Sequence, residues 1–229
     1  MNYYDIHTHR PALHPEVTTI ISVDIRKQFE LASSFDNQYY SAGVHPWNID
    51  CNDPEAINGL FTKVCRLAYH PKVKAIGETG LDKNAIKVAN DFLFQQEIFI
   101  SHVRLAEEVK KPLIIHCVKA WNEILQIRQS IKPAMPWIIH GFRGKMLLAV
   151  RLLDSGLYLS FGVHYNIDSL KTAWKKHRIL LETDNKNIDI RDIYQQAAND
   201  LEVPEKELTE EIDECYQSVI AFDSRFICG

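Results

Sequence analysis

Several common signatures are missing from this chain. Its five cysteines, Cys51, Cys65, Cys117, Cys215 and Cys228, are scattered and odd in number, and no two form a CxxC pair. That spacing excludes a disulfide framework and a zinc ribbon, and reads as reduced thiols. Nine glycines supply no GxGxxG after the first strand-like run, so a dinucleotide-binding sheet has no fingerprint here. No apolar run approaches the roughly 20 residues that span a bilayer. The first nine residues include Asp5, His7 and His9 and contain no apolar signal-peptide core. A cytoplasmic protein without membrane association is expected. Linkers, internal repeats and long charge blocks are also absent, so residues 1–229 are expected to form one domain. Positive charge is not in excess: 26 Lys and Arg stand against 30 Asp and Glu, a net charge of -4. This excludes a globally basic nucleic-acid coat, but not a local basic groove or a metal site that attracts phosphate.

What the chain does have is a regular alternation. Short apolar runs rich in β-branched residues occur at Tyr3 to His7, Val17 to Val23, Tyr39 to Val44, Val73 to Gly77, Leu113 to Cys117, Trp137 to His140, Leu157 to Phe161 and Ile179 to Glu182. Each is too short for a helix and nearly continuous in hydrophobicity, as strands buried on both faces of a parallel sheet are. Helix-length stretches lie between and after them: Arg26 to Phe35, Pro54 to Tyr69, Val88 to Val109, Asn122 to Ser130, Lys145 to Asp154, a brief one at Lys171 to Lys176, Asp189 to Asn199 and Pro204 to Phe222. Asp53 before Pro54 is an N-cap followed by proline at the first helical position, and Gly156 closes the helix before it. Eight strand–helix units in 229 residues come to about 28 residues each. The expected fold is α/β, a compact TIM-type (β/α)8 barrel, with a doubly wound open sheet as the alternative.

Ten histidines are the other conspicuous content. Polar residues collect at the C-terminal ends of the apolar runs: Asp5, His7 and His9, then His45, Glu78 with Asp82, His116, His140 and Asp184. In a barrel those ends converge on one face, which carries the active site. His7 and His9 are two residues apart on a strand and share a side. Imidazole and carboxylate together suit zinc, manganese or iron. A lone buried histidine is ordinarily a hydrogen-bonded core residue. Four of the ten, His7, His9, His116 and His140, together with Glu78 and Asp184, point instead to a metal centre. His14, His70, His102 and His177 read as structural or solvated, and His164 as a weaker candidate for the pocket. Trp47 reads first as packing and second as a surface for a stacked ring. Trp121, Trp137 and Trp174 read as packing, and Cys117 as a core thiol facing the helices.

The ordered motifs Asp5-Ile-His7-Thr-His9, Gly43-Val-His45-Pro46, Gly77-Glu78-Thr-Gly80-Leu-Asp82, Pro112-Leu-Ile-Ile-His116, His140-Gly-Phe142-Arg-Gly144 and Glu182-Thr-Asp184 cover residues 3 to 184. On them the chain resembles the TatD family of metal-dependent hydrolases, TatD-type deoxyribonucleases among the amidohydrolase-like barrels. The resemblance implies two divalent ions (Zn, Mn, Mg or Fe). His7, His9, Glu78 and Asp184 would hold one, and Glu78, His116 and His140 the second, with Glu78 bridging. It makes Glu78 and Asp184 the catalytic carboxylates, Asp184 orienting or deprotonating the attacking water. His45 would contact substrate phosphate or support the ligands, and Asp5 and Asp82 would be supporting or structural. Two divalent ions would also supply positive charge where a phosphate binds, which the net charge alone does not. The sequence departs from the family pattern after His116, where Cys117-Val118-Lys119 replaces Ser-Arg-Asp, and after Asp184, where Asn185 and Lys186 follow. Lys119 or Arg143 would then substitute for the missing arginine. The expectation is a monomeric phosphodiesterase acting on DNA or a small phosphoester. A metallohydrolase of another small substrate (amide, lactone or phosphoester) and a catalytically inactive metal-binding barrel remain the alternatives.

Overall fold

A computed structural model describes residues 2–11, 14–27, 31, 35–88 and 90–220. Eight strands form one sheet in sequence order: β1 (Tyr3–Thr8), β2 (Val17–Ser22), β3 (Gln38–Ala42), β4 (Val73–Asp82), β5 (Leu113–Val118), β6 (Trp137–Ile139), β7 (Tyr158–Phe161) and β8 (Ile179–Leu181). Every neighbouring pair is parallel. The sheet closes on itself near the C-terminal ends of β1 and β8, where Asp184 N–H donates to His7 C=O at 2.9 Å and His9 N–H to Asp184 C=O at 3.0 Å. Lower on β1, the Tyr194 hydroxyl accepts from Tyr4 N–H at 3.1 Å and donates to Tyr4 C=O at 3.3 Å, satisfying the backbone there. The architecture is the TIM-type barrel.

Helices α1 (Pro54–Ala68), α2 (Asp91–Val109), α3 (Trp121–Ile131), α4 (Met146–Asp154) and α5 (Ile167–Lys175) connect successive strands from β3 onward, and α6 (Ile190–Leu201) and α7 (Glu205–Val219) follow β8. The strands carry side chains buried on both faces: Leu113, Ile114, Ile115, Ile138 and Ile139 are all inaccessible to solvent. Each such burial is worth about 1.5–3 kcal/mol, so these short runs are held by the layers around them and not by their own length. Phe99 of α2 meets Trp137 of β6 edge-on at 5.3 Å, and Tyr4 of β1 stacks on Tyr216 of α7 at 4.1 Å.

Three expectations are corrected. First, β4 runs five residues past Gly77, to Asp82, still paired with β5 from Thr79 to Asp82. Its glycines do not turn the chain; they let it approach β5. Gly77 and Gly80 have φ of 149° and 144°, and a Cβ on them would sit 2.5 Å from Ile114 O and 2.0 Å from His116 O. Second, the brief helix at Lys171 begins four residues earlier as α5, because Asn166 caps it by accepting from Ser169 N–H. Third, α2 starts at Asp91 instead of Val88, since the Asp91 carboxylate binds the amides of Lys87 and Val88 in the preceding turn. Strand and helix also do not alternate throughout: no helix joins β1 to β2 among the described residues, and two follow β8. The helix expected at Arg26 to Phe35 falls mostly outside the described residues, as do Phe222 and Cys228. No helix among the described residues is long and apolar enough to cross a membrane.

Candidate metal centre

The C-terminal ends of the strands deliver the site. His7 comes from β1, His9 from just beyond it, Glu78 and Asp82 from β4, His116 from β5, His140 from the residue after β6, and Asp184 from beyond β8. Asp184 adopts a left-handed conformation, with φ of 53°, while its backbone pairs with β1. Such strain persists only where surrounding bonds enforce it, and it collects at functional sites.

Glu78 lies at the centre, and its two oxygens face different partners. Oε2 is 3.4 Å from His7 Nε2 and 3.8 Å from His9 Nε2. Asp184 Oδ1 completes that side, 3.9 Å from His7 Nε2 and 3.5 Å from His9 Nε2. Oε1 is 2.8 Å from His140 Nε2, 2.9 Å from His116 Nδ1 and 3.1 Å from His45 Nε2. Three overlapping groups have ligand atoms close enough for an ion: His7, His9 and Asp184; His7, Glu78 and His140; His45, Glu78 and His116. The structure therefore brings together all six residues expected as ligands, and His45 with them.

The outer nitrogens distinguish the rings. His116 Nε2 lies 3.1 Å from Asp82 Oδ2, and His140 Nδ1 lies 3.3 Å from Glu182 Oε1. Glu78 faces the inner nitrogens at 2.9 and 2.8 Å, so each ring lies between two carboxylates that can only accept, and a cation bound on the Glu78 side would leave the proton of a neutral ring on the outer nitrogen. His45 is the reverse. Its Nδ1 accepts from Trp47 N–H at 3.0 Å, so the neutral ring carries its proton on Nε2, toward Glu78. His45 is therefore a donor at the centre. His7 is fully buried, and neither of its ring nitrogens has a hydrogen-bond partner among the described residues. A buried imidazole left so is costly unless a further group completes it. A cation bound at Nε2 fits, and the nitrogen and carboxylate donor set agrees with one.

Electrostatics point the same way. Burial by itself would raise Glu78, but charge on His140 and hydrogen bonds from His116, His140 and His45 outweigh it and hold the carboxyl well below its usual range. Burial opposes charge on His140, yet Glu78 and Glu182 raise it well above an ordinary imidazole. His9 and His45 are lowered, chiefly by burial. The centre thus holds an ionised Glu78 in surroundings that favour positive charge beside it.

A cavity of about 390 Å³ opens over these groups, and Arg26, Trp47, Asn48 and Asn185 also line it. Lys119 and Arg143, expected to replace the missing arginine, do not line it. Both are exposed, and Lys119 at φ of 58° turns the chain out of β5 toward α3. Trp47 is corrected as well: it is 65% exposed, so packing is not its role. Asp5 is buried, held by Thr183 N–H at 3.0 Å and Thr183 Oγ1–H at 2.6 Å, and braces the β8 end. Cys117 is buried, which pushes its thiol up to about 12 and makes it inert as a nucleophile. His164 is exposed and away from the cavity, and His177 pairs with Glu211 at the surface. Sequence reasoning did not assign Arg26 or Glu182. Both stand at or just past a strand's C-terminal end, the same signal that found the other residues.

Comparison with known proteins gives the family. The model of the TatD related DNase family matches residues 12–219. YcfH of Escherichia coli (strain K12), an uncharacterized metal-dependent hydrolase, is 35% identical over 163 residues, 68% of this chain and 58% of that protein. An uncharacterized metal-dependent hydrolase of Buchnera aphidicola is 32% identical over 180 residues, 74% of this chain and 66% of that protein. The 3'-5' ssDNA/RNA exonuclease TatD of Klebsiella pneumoniae is 29% identical over 182 residues, 74% and 65% of the two. The matched part of this chain thus spans 58–66% of these relatives' length. In three dimensions, the TatD homolog YJJV of Escherichia coli superimposes with a TM-score of 0.75 over 96% of this chain and 98% of that one, at 17% identity, which speaks for the fold. With a strand order, a cluster of histidines and carboxylates and a family match that runs nearly end to end, this chain belongs to the family of TatD-related DNases.

Proposed function

We propose that this protein is a metal-dependent phosphodiesterase that hydrolyses nucleic acid through a two-ion centre bridged by Glu78. The observation that carries the reading is the division of Glu78: Oε2 faces His7 and His9, and Oε1 faces His116 and His140. His7, His9, Asp184 and Glu78 Oε2 would hold one ion, and Glu78 Oε1, His116 and His140 the other. Bound divalent ions lower the pKa of water and neutralise charge on a phosphoryl group. Asp184, partly open to the cavity, would orient the attacking water and accept its proton. His45, with its Nε2 proton directed inward, would donate to a phosphoryl oxygen. Asp82 and Glu182 hold the outer nitrogens of His116 and His140, which keeps the rings in the tautomers that ligation requires. The Klebsiella relative, named for 3'-5' cleavage of single-stranded DNA and RNA, supports nucleic acid as the substrate class.

The test is release of nucleotides from single-stranded DNA by purified protein with Mg²⁺ or Mn²⁺. Release that needs the metal and disappears in His116→Ala is the expected result. Release that survives that substitution, or needs no metal, overturns the proposal.

A further inference from the structure

Trp47 is the anomaly of the metal cavity. It is a large aromatic side chain left 65% exposed at the rim of a cavity lined by histidines and carboxylates. Yet it is rigidly held. Its backbone N–H donates to His45 Nδ1, and its indole Nε1–H donates to Asp82 Oδ2 at 2.6 Å. The ring meets the edges of His45 at 4.8 Å and His116 at 5.9 Å. Its polar atom is therefore spent inward, and what remains open is ring surface. That surface borders two spaces: the metal cavity, and a neighbouring groove of about 490 Å³ lined by Asn84, Ala85, Ile86 and Lys87. The Lys87 side chain is exposed.

Arg26 lines the same cavity. Asp24 grips it through Nε at 2.8 Å and Nη2 at 3.0 Å, which fixes the guanidinium and leaves Nη1 without a partner among the described residues. A guanidinium fixed this way is preorganised for a second oxyanion. A flat ring and an oriented guanidinium beside one metal centre match the two parts of a nucleotide, its base and its phosphate.

We propose that Trp47 and Arg26 form the subsite that binds the nucleotide next to the scissile phosphate, Trp47 stacking on its base and Arg26 taking its phosphate. The inference rests on the phosphodiesterase reading above. It assigns selection of a nucleotide over other phosphoesters to these two side chains. Stacking is tolerant of base identity, because every base has a π-face, so the subsite discriminates nucleotide from non-nucleotide and not one base from another.

Two measurements test it. In the first, metal-free protein is titrated with thymidine 5'-monophosphate or with deoxyribose 5-phosphate while tryptophan fluorescence is followed. Saturable quenching by the nucleotide and none by the sugar phosphate is expected, with the quenching lost in Trp47→Phe. Arg26→Gln is expected to weaken nucleotide binding about tenfold. In the second, metal-loaded protein cleaves thymidine 5'-(p-nitrophenyl phosphate) and methyl p-nitrophenyl phosphate. Trp47→Ala is expected to reduce the preference for the nucleotide ester about tenfold, mainly through KM. Because Trp47 is exposed, the variants are expected to melt with the parent, which circular dichroism checks. Equal quenching by both ligands, or an unchanged preference in Trp47→Ala, overturns the subsite and leaves the hydrolase reading standing. If neither ester is cleaved while the nucleotide still quenches Trp47, the hydrolase reading fails and the subsite survives.

Discussion

Two regions of this barrel each bury a histidine completely, and the two are treated in opposite ways. In the helix layer, His102 of α2 uses both nitrogens: Nε2 accepts from Val44 N–H at 3.0 Å, and Nδ1–H donates to Ile98 C=O at 2.8 Å. At the barrel mouth, His7 uses neither. One ring is a strut that fixes the loop carrying His45; the other has no hydrogen bond among the described residues and turns Nε2 toward Glu78 at 3.4 Å. Burial alone would class them together. Their hydrogen bonds separate a structural histidine from a functional one.

The comparison can be broken in three ways. The largest effect is expected at the mouth. His7→Ala should lower metal affinity by more than the roughly 10–100-fold that losing a supporting carboxylate costs, and should bring activity to background. Calorimetric metal titration checks this, and near-parental affinity would mean that His7 is no ligand.

In the helix layer the effect should be on stability, and it should depend on pH. Burial lowers His102 from 6.5 to about 4. The folded state thus disfavours the imidazolium, which the unfolded chain forms near its ordinary pKa. The contribution is fully present above pH 6.5 and is lost as pH falls through 4, a loss of about 3 kcal/mol by then. Urea unfolding at pH 7.5, 5.5 and 4 measures it. His102→Leu, which leaves Val44 N–H and Ile98 C=O short of a partner, should cost about 2 kcal/mol at pH 7.5 and flatten the pH dependence relative to the parent. A parallel pH dependence in the variant would assign the acid sensitivity elsewhere.

The smallest effect concerns the residues that support the mouth. Glu182→Gln keeps the shape beside His140 Nδ1 but removes the carboxylate that orients its proton. Metal affinity should fall about tenfold, with little change in melting temperature. A loss as large as that of His7→Ala would make Glu182 itself a ligand.

Much of the fold was legible in the sequence because strands buried on both faces carry nearly continuous apolar runs. Runs such as Val17 to Val23 and Leu113 to Cys117 match β2 and β5 to within a residue. The rule that polar residues gather at the C-terminal ends found His7, His9, Glu78, His116, His140 and Asp184. What escaped was local chemistry with a second meaning. Gly77 and Gly80 look like turn residues, but they serve the contact with β5. Asn166 as a cap was overlooked, so α5 was expected to be shorter. Trp47 follows Pro46 in an apolar stretch, and nothing in that stretch says that its ring stays in solvent.

The sequence by itself determined which residues reach the barrel mouth, because alternation along a strand and position at its end are properties of the local chain. The tertiary structure decided what each one does there. His116 is held by Asp82 and His140 by Glu182, and Arg26 and Trp47 reach one cavity from beyond the ends of the neighbouring strands β2 and β3. With a cation on the Glu78 side, the proton of each neutral imidazole would stay on the outer nitrogen, whose partner accepts it. For His116 and His140 that partner lies 34 and 42 residues away, so only the closed barrel brings donor and acceptor together.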